Sequence, residues 1–238
     1  MRHQGFIPWD DDIDVYMTWE DAGKLERNRN LFQKHYFLQN KKTDPNVKTA
    51  HYRLRDSSTS MFLKEDYNVE MNHGIFIDIY ILYPYPDNRI RAQKLIFDSF
   101  IYRILIAGSG PVNHGRLAFL AGRAVLCLYK GRRAVRKIKR IERDFRCNGG
   151  KRYYATYFGR DVSLFRSIIY PREWFERPRM LKFEDMVVPC PADTEAYCRL
   201  QYGKTYMELP PEEKRIPHHD YIFASVDEPF TKLKGIYY

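Results

Sequence analysis

A chain of 238 residues with 44% apolar and 16% aromatic content can build an ordinary hydrophobic core, which excludes wholesale disorder, a collagen-like repeat and a small cysteine-stapled scaffold. The formal charge of +10 is local: between Arg89 and Arg146 fifteen Lys or Arg stand against three acids, Asp98, Glu142 and Asp144. A basic patch, and not a generally basic surface, is what asks for a partner.

The opening text MRHQGFIPWDDDIDV holds four aspartates in fourteen residues, where a secretory signal needs an apolar run. The longest apolar stretch, Leu117 to Tyr129, contains Arg123 and falls short of the ~20 residues that span a bilayer. Cys127, Cys147, Cys190 and Cys198 form no C-x-x-C pair and read as buried or incidental thiols of a reducing compartment.

In chain order, residues 13–17 predict a short strand and 20–35 a helix, with Thr18 as its cap and Glu20 and Asp21 at its positive end. FIDIYILY, Phe76 to Tyr83, follows Gly74, is rich in β-branched and aromatic residues, and predicts a buried strand that stops at Pro84. From Asn88 to Cys147 the pattern is helical, interrupted at GSGPVNHG (Gly108 to Gly115). In its last piece Ala134, Ile138, Ile141 and Phe145 recur at helical spacing among Arg132, Arg133, Arg136, Lys137, Arg140 and Arg143, which predicts a basic amphipathic helix. After Gly150 the text predicts short strands and turns, a helix over 193–202, and an extended tail. The class expected is α/β: a mixed sheet flanked by helices, one domain over 1–238 with residues 88–147 as a basic helical insertion.

If the strand begins near Trp9, Asp10, Asp12 and Asp14 share one face and Ile13 and Val15 enter the core. Carboxylates two apart can converge on one hard divalent cation such as Mg²⁺, which takes oxygen ligands and substrate phosphates. Asp78, between Ile77 and Ile79 in the second apolar strand, is the natural third member, because a charge there is costly unless paired or metal-bound. A solvated acidic turn is the competing reading, opposed by the apolar flanks IPW and IDV. An EF-hand loop counted from Asp10 would need Gly and Glu where Val15 and Asp21 stand.

RHQGFIPWDDDIDVYM resembles the signature of the LicD/fukutin family, GIFIDIYILYPYPDN its second acidic strand, RLRDSSTS (Arg53 to Ser60) the segment between, and CPADTEAYCRLQYGKTYMELPPEEKRIPHH its C-terminal region. The resemblance implies a nucleotidyltransferase-like fold and transfer of phosphocholine from CDP-choline to a cell-surface glycan: lipopolysaccharide, teichoic acid or capsule. Asp12, Asp14 and Asp78 would be the catalytic, metal-binding carboxylates, holding Mg²⁺ or Mn²⁺ on the donor diphosphate, and Asp78 would serve as ligand or base. A Gly-containing G-T-L-L-G-x-x-R-like run usual in the family does not precede Met1, which implies an N-terminally truncated domain. The alternatives are transfer of another phospho-alditol, such as ribitol phosphate from its CDP form, or a catalytically silent binding module.

Arg2, His3, Arg55, Ser58 and Thr59 are the candidate contacts to donor phosphates or nucleotide, with Arg53 beside them, because Arg binds phosphate bidentately; each has an ordinary reading as terminus or loop. His218 and His219 are candidates for the acceptor pocket, without spacing for zinc. The helix at 132–146 reads either as a solvated face or as a peripheral contact with an anionic membrane, and nucleic acid is disfavoured because no binding motif accompanies it. Together these give a cytoplasmic protein, peripheral at the inner membrane face if the helix binds lipid.

Overall fold

The computed structural model describes residues 2–110, 115–157, 162–163, 166–217 and 219–238. Its elements are β1 (Asp14–Thr18), α1 (Trp19–Arg27), β2 (Tyr36–Gln39), β3 (Tyr52–Asp56), β4 (Ser60–Leu63), β5 (Ile75–Tyr85), α2 (Arg89–Ala107), α3 (Gly115–Leu128) and α4 (Arg132–Arg146). There follow β6 (Tyr153–Ala155), β7 (Val162–Ser163), β8 (Arg166–Ser167), β9 (Tyr170–Pro171), α5 (Glu173–Glu176), β10 (Arg179–Phe183), β11 (Met186–Cys190), α6 (Thr194–Tyr202) and β12 (Tyr221–Ser225). The class is α/β, as the alternating text predicts.

The main sheet is mixed, in the order β2-β3-β5-β6-β9, with β1 joined to β5 in parallel. Side chains alternate between its two faces. Leu38, Ile79 and Ile81 face the helices, where Ala22 of α1, Ile101 and Tyr102 of α2, and Ile141 and Phe145 of α4 complete one buried cluster. The predicted stripe of α4 is the one used: Ile141 and Phe145 are fully buried, Ala134 and Ile138 partly so.

Local chemistry places the helix ends. Thr18 Oγ1 accepts from the Asp21 amide (3.2 Å), Asn88 Oδ1 from Arg91 (3.0 Å) and Asp193 Oδ1 from Ala196 (2.9 Å), so three side chains satisfy amides that a helix start leaves open. Gly108 closes α2 in the left-handed conformation (φ 68°), and of the predicted interruption residues 111–114 lie outside the described residues.

Three expectations need correction. α1 ends at Arg27, not His35: Asn28 caps it, a single 3₁₀ turn follows, and Phe32 is extended. β5 runs through Pro84 to Tyr85: Pro84 is the register partner of Tyr154 in β6, and its carbonyl accepts from Asn148 and Tyr157. β1 starts at Asp14, so Asp10 and Asp12 precede the strand, and Ile13 (39% exposed) and Val15 (37%) stay outside the core, as suits a short strand paired along β5. No disulfide joins the cysteines, of which Cys127 and Cys147 are exposed and Cys190 and Cys198 half-buried, in keeping with incidental thiols.

Candidate functional site

The site is built on the sheet face opposite α1, α2 and α4. Register puts Asp14 of β1 beside Asp78 of β5, Asp78 beside Arg53 of β3, and Arg53 beside Gln39 of β2, so one polar row crosses four strands. One step along, Tyr16 pairs with Tyr80, and the His51 ring lies 4.9 Å from that of Tyr80. A two-residue period on each strand is sufficient to bring these side chains to a common face.

Asp78 is buried and doubly engaged. Arg53 Nε donates to its Oδ1 (2.8 Å), and His51 Nε2 stands 3.1 Å from the same oxygen, near enough for an ion pair but not aligned as a hydrogen bond. Burial by itself pushes the Asp78 carboxyl up; the contact and charge of His51 and the charge and bond of Arg53 outweigh it and bring it down to about 2. Arg53 is stacked over Phe76 (4.0 Å) and keeps a buried Nη1 that meets no acceptor. A guanidinium N–H without an acceptor is costly in a protein interior, which makes this donor a ready contact for an anionic oxygen.

Just ahead of β1, Asp10, Asp11 and Asp12 bend together, each half-buried, with one oxygen apiece within 4.8 Å of the others. Among the described residues this is the group of three acids so gathered; Asp12, Asp14 and Asp78 are not. Asp14 lies on the exposed rim next to Asp78, and Asp12 lies with its upstream neighbours. Three carboxylates offering only oxygen fit a hard divalent ion. His219 ties this loop to the C-terminal segment: its amide donates to Asp11 Oδ2 (3.1 Å), and its Nδ1 lies 3.4 Å from Asp11 and 4.0 Å from Asp12. A cleft of about 480 Å³ lined by Leu63, Lys64, Glu65, His219 and Asp220 opens beside it.

The other candidates have different surroundings. Arg2 donates to the carbonyls of Tyr206 (3.1 Å) and Glu208 (2.6 Å) and to His3 (3.0 Å), and His3 meets Trp9 edge-on, so both hold the first residues against the C-terminal segment. A Cβ at Gly5 would meet the Glu184 carboxylate, the group that accepts from the Phe6 amide, at 1.8 Å, so a larger residue there would have to displace that side chain. Arg55 is fully buried and spends its donors on Gln39 and the Gly74 carbonyl; burial and the charge of Arg53 pull its pKa down to about 9. Ser58 and Thr59 bond to Asp56 and shape the turn between β3 and β4. His218 lies outside the described residues. His51 was not among the sequence candidates, although His51, just ahead of β3, and Arg53 and Arg55 within it alternate, and that period-two spacing of cations is a signal for a charged sheet face.

Residues 1–101 match the family model described as LicD/FKTN/FKRP, nucleotidyltransferase domain. The chain is also similar to the lipopolysaccharide cholinephosphotransferase LicD of Haemophilus influenzae, 27% identical over 236 residues covering 92% of this chain and 82% of that protein. No solved structure matches. The polar row from Gln39 to Asp14 and the acidic loop before it all fall within the matched segment. The likeness to the LicD/FKTN/FKRP nucleotidyltransferase domain thus lies in residues 1–101, and that to the Haemophilus influenzae protein extends over most of the chain.

Proposed function

We propose that the chain transfers a phosphocholine-like group from a CDP-activated donor to a hydroxyl of a cell-surface glycan. The similar Haemophilus influenzae protein is a lipopolysaccharide cholinephosphotransferase, so lipopolysaccharide is the first acceptor to test. The observation that carries the reading is the seating of Asp14 opposite Asp78, with three more carboxylates immediately upstream. Such a density of oxygen donors beside a buried arginine suits a charged phosphate ester and little else.

Asp10, Asp11 and Asp12 would hold Mg²⁺ or Mn²⁺, with Asp14 and Asp78 as the neighbouring carboxylates. Bound there, the ion supplies positive charge against the phosphorus under attack and the departing CMP. The protein's own residues do the rest. Arg53 offers its Nη1 to a phosphate oxygen while its Nε stays on Asp78. Asp78, with its pKa held near 2, is a poor proton acceptor at neutral pH, so its work is to orient Arg53 and His51. Asp14, on the exposed rim, is the better placed carboxylate for the proton of the acceptor hydroxyl.

The test is CMP release from CDP-choline and, in parallel, CDP-ribitol, with lipopolysaccharide as acceptor and with divalent ions added or chelated. Release should need the ion and fall by roughly 10²-fold or more in Asp12→Asn and Asp14→Asn, whose folding is checked by circular dichroism. Release that persists in chelator, or that both folded variants retain, overturns the proposal. The preferred donor tells phosphocholine from phospho-alditol transfer.

A further inference from the structure

Helix α3 turns an uncovered apolar stripe to solvent. Leu117, Leu120, Ala121, Ala124 and Leu128 recur three, one, three and four apart, which is one face of a helix, and all five are exposed: Leu117 at 85%, Leu120 at 58%, Leu128 at 66%. The opposite side is the packed one, with Gly122 buried and Val125 against the core. Arg116 and Arg123 border the stripe and Lys130 follows it.

Helix α4 comes next in the chain with a complementary surface. Its apolar residues other than the exposed Val135 pack inward, and its two acids turn back to α2, Glu142 accepting from the Tyr102 hydroxyl (3.1 Å) and Asp144 from Lys94 (2.9 Å). What α4 presents outward is Arg132, Arg133, Arg136, Lys139, Arg140 and Arg143. Beyond Val135 it has no exposed apolar side chain and a dense row of cations to offer.

We propose that these two helices seat the chain on an anionic lipid bilayer, with α3 lying in the interface plane, Leu117, Leu120 and Leu128 among the acyl chains, and the α4 cations on the headgroups. Each feature alone admits other partners; together they select this one. A second copy of the chain would bring two strongly basic segments together and be repelled. A nucleic acid would take the cations but leave the leucines in water. An anionic bilayer uses both, since an interfacial helix draws on buried apolar area plus attraction to anionic lipid. α3 has 14 residues, and no helix among the described residues is long and apolar enough to cross a membrane, so α3 lies along the surface rather than through it. Binding needs neither donor nor acceptor, so the inference stands apart from the transferase reading.

The experiment is co-sedimentation of the full chain with vesicles of phosphatidylcholine alone and of phosphatidylcholine with phosphatidylglycerol, at low and physiological salt. The chain should partition onto the anionic vesicles only, more weakly as salt rises, and about tenfold more weakly in Leu117→Ser/Leu120→Ser and in Arg133→Gln/Arg136→Gln. These are exposed positions, so the circular dichroism of both variants should match the parent. Three results overturn the proposal: no partitioning onto anionic vesicles; partitioning that the leucine variant keeps in full, which makes it surface adsorption without α3; or a dimer by light scattering that the leucine variant dissolves, which makes the stripe a self-association face.

Discussion

Asp14 and Asp78 are register partners across parallel β1 and β5, yet one is exposed on the rim and the other is buried against Arg53. The same substitution therefore has unequal consequences at the two positions. Asp14→Asn removes a charge from a solvated site and should leave stability within about 0.5 kcal/mol. Asp78→Asn strips a buried guanidinium of its counter-charge and should cost about 3–5 kcal/mol. Thermal melts of the two variants read this directly. Equal melting temperatures would mean that the Arg53–Asp78 pair does not hold the sheet face. The contrast also says which aspartate is fit for testing chemistry: loss of activity in Asp78→Asn mixes fold with function, whereas loss in Asp14→Asn does not.

The pairing also sets an acid limit. The folded Asp78 carboxyl titrates near 2, below the 3.8 of the free side chain. A carboxylate more acidic in the folded than in the unfolded chain stabilises the fold at pH above about 4, and that contribution is lost as pH falls toward 2. For a buried group the shift is worth roughly 2–3 kcal/mol. Urea unfolding of the parent should lose most of this between pH 5 and pH 2, while Asp78→Asn, already lacking the charge, should show a flatter profile. Parallel profiles would assign the acid sensitivity to other carboxylates.

Two glycines make opposite predictions. At Gly74 a Cβ would sit 2.1 Å from the backbone carbonyl oxygen of Asp56, where β3 and β5 close together, and no side chain can move to relieve it. Gly74→Ala should cost about 2–3 kcal/mol. At Gly23, inside α1, the nearest atom is the flexible end of Arg27 at 3.4 Å, and Gly23→Ala should stabilise by about 0.5–1 kcal/mol through helix propensity. Denaturant midpoints of the two variants should shift in opposite directions. A harmless Gly74→Ala would show that the β3–β5 approach is looser than described.

Features fixed by neighbours in sequence were legible in advance. Thr18, Asn88 and Asp193 announce helix starts because a cap bonds two or three residues ahead, and the α4 stripe is visible because its period belongs to the helix itself. The second acidic strand was legible because burial on both faces leaves an apolar run, in which Asp78 stands out. What escaped depends on pairing partners. Whether Asp10 and Asp12 belong to the strand is decided by how far β1 stays bonded to β5, and the ladder begins only at Asp14. That Arg55 is spent on Gln39 and Gly74 while Arg53 keeps a donor is decided by β2 and β5, many residues away. His51 went unnoticed because its partner Asp78 is reached only through the antiparallel register of β3.

Metal binding can be tested without turnover. If the carboxylates of Asp10, Asp11 and Asp12 hold a divalent ion, Mg²⁺ well above its dissociation constant must stabilise the fold, by about 2.7 kcal/mol at a hundredfold excess. The melting temperature should therefore climb with Mg²⁺ but not with NaCl of equal ionic strength, and Asp12→Asn should abolish most of the climb. His219 supplies an internal control. Its bond to Asp11 Oδ2 comes from the backbone amide, so His219→Ala keeps that bond and should preserve the Mg²⁺ response, whereas Asp11→Asn removes both a ligand and an anchor of the C-terminal segment. Should His219→Ala abolish the response while Asp12→Asn leaves it intact, the ion would have to sit on the imidazole side of the cleft and not among the three carboxylates.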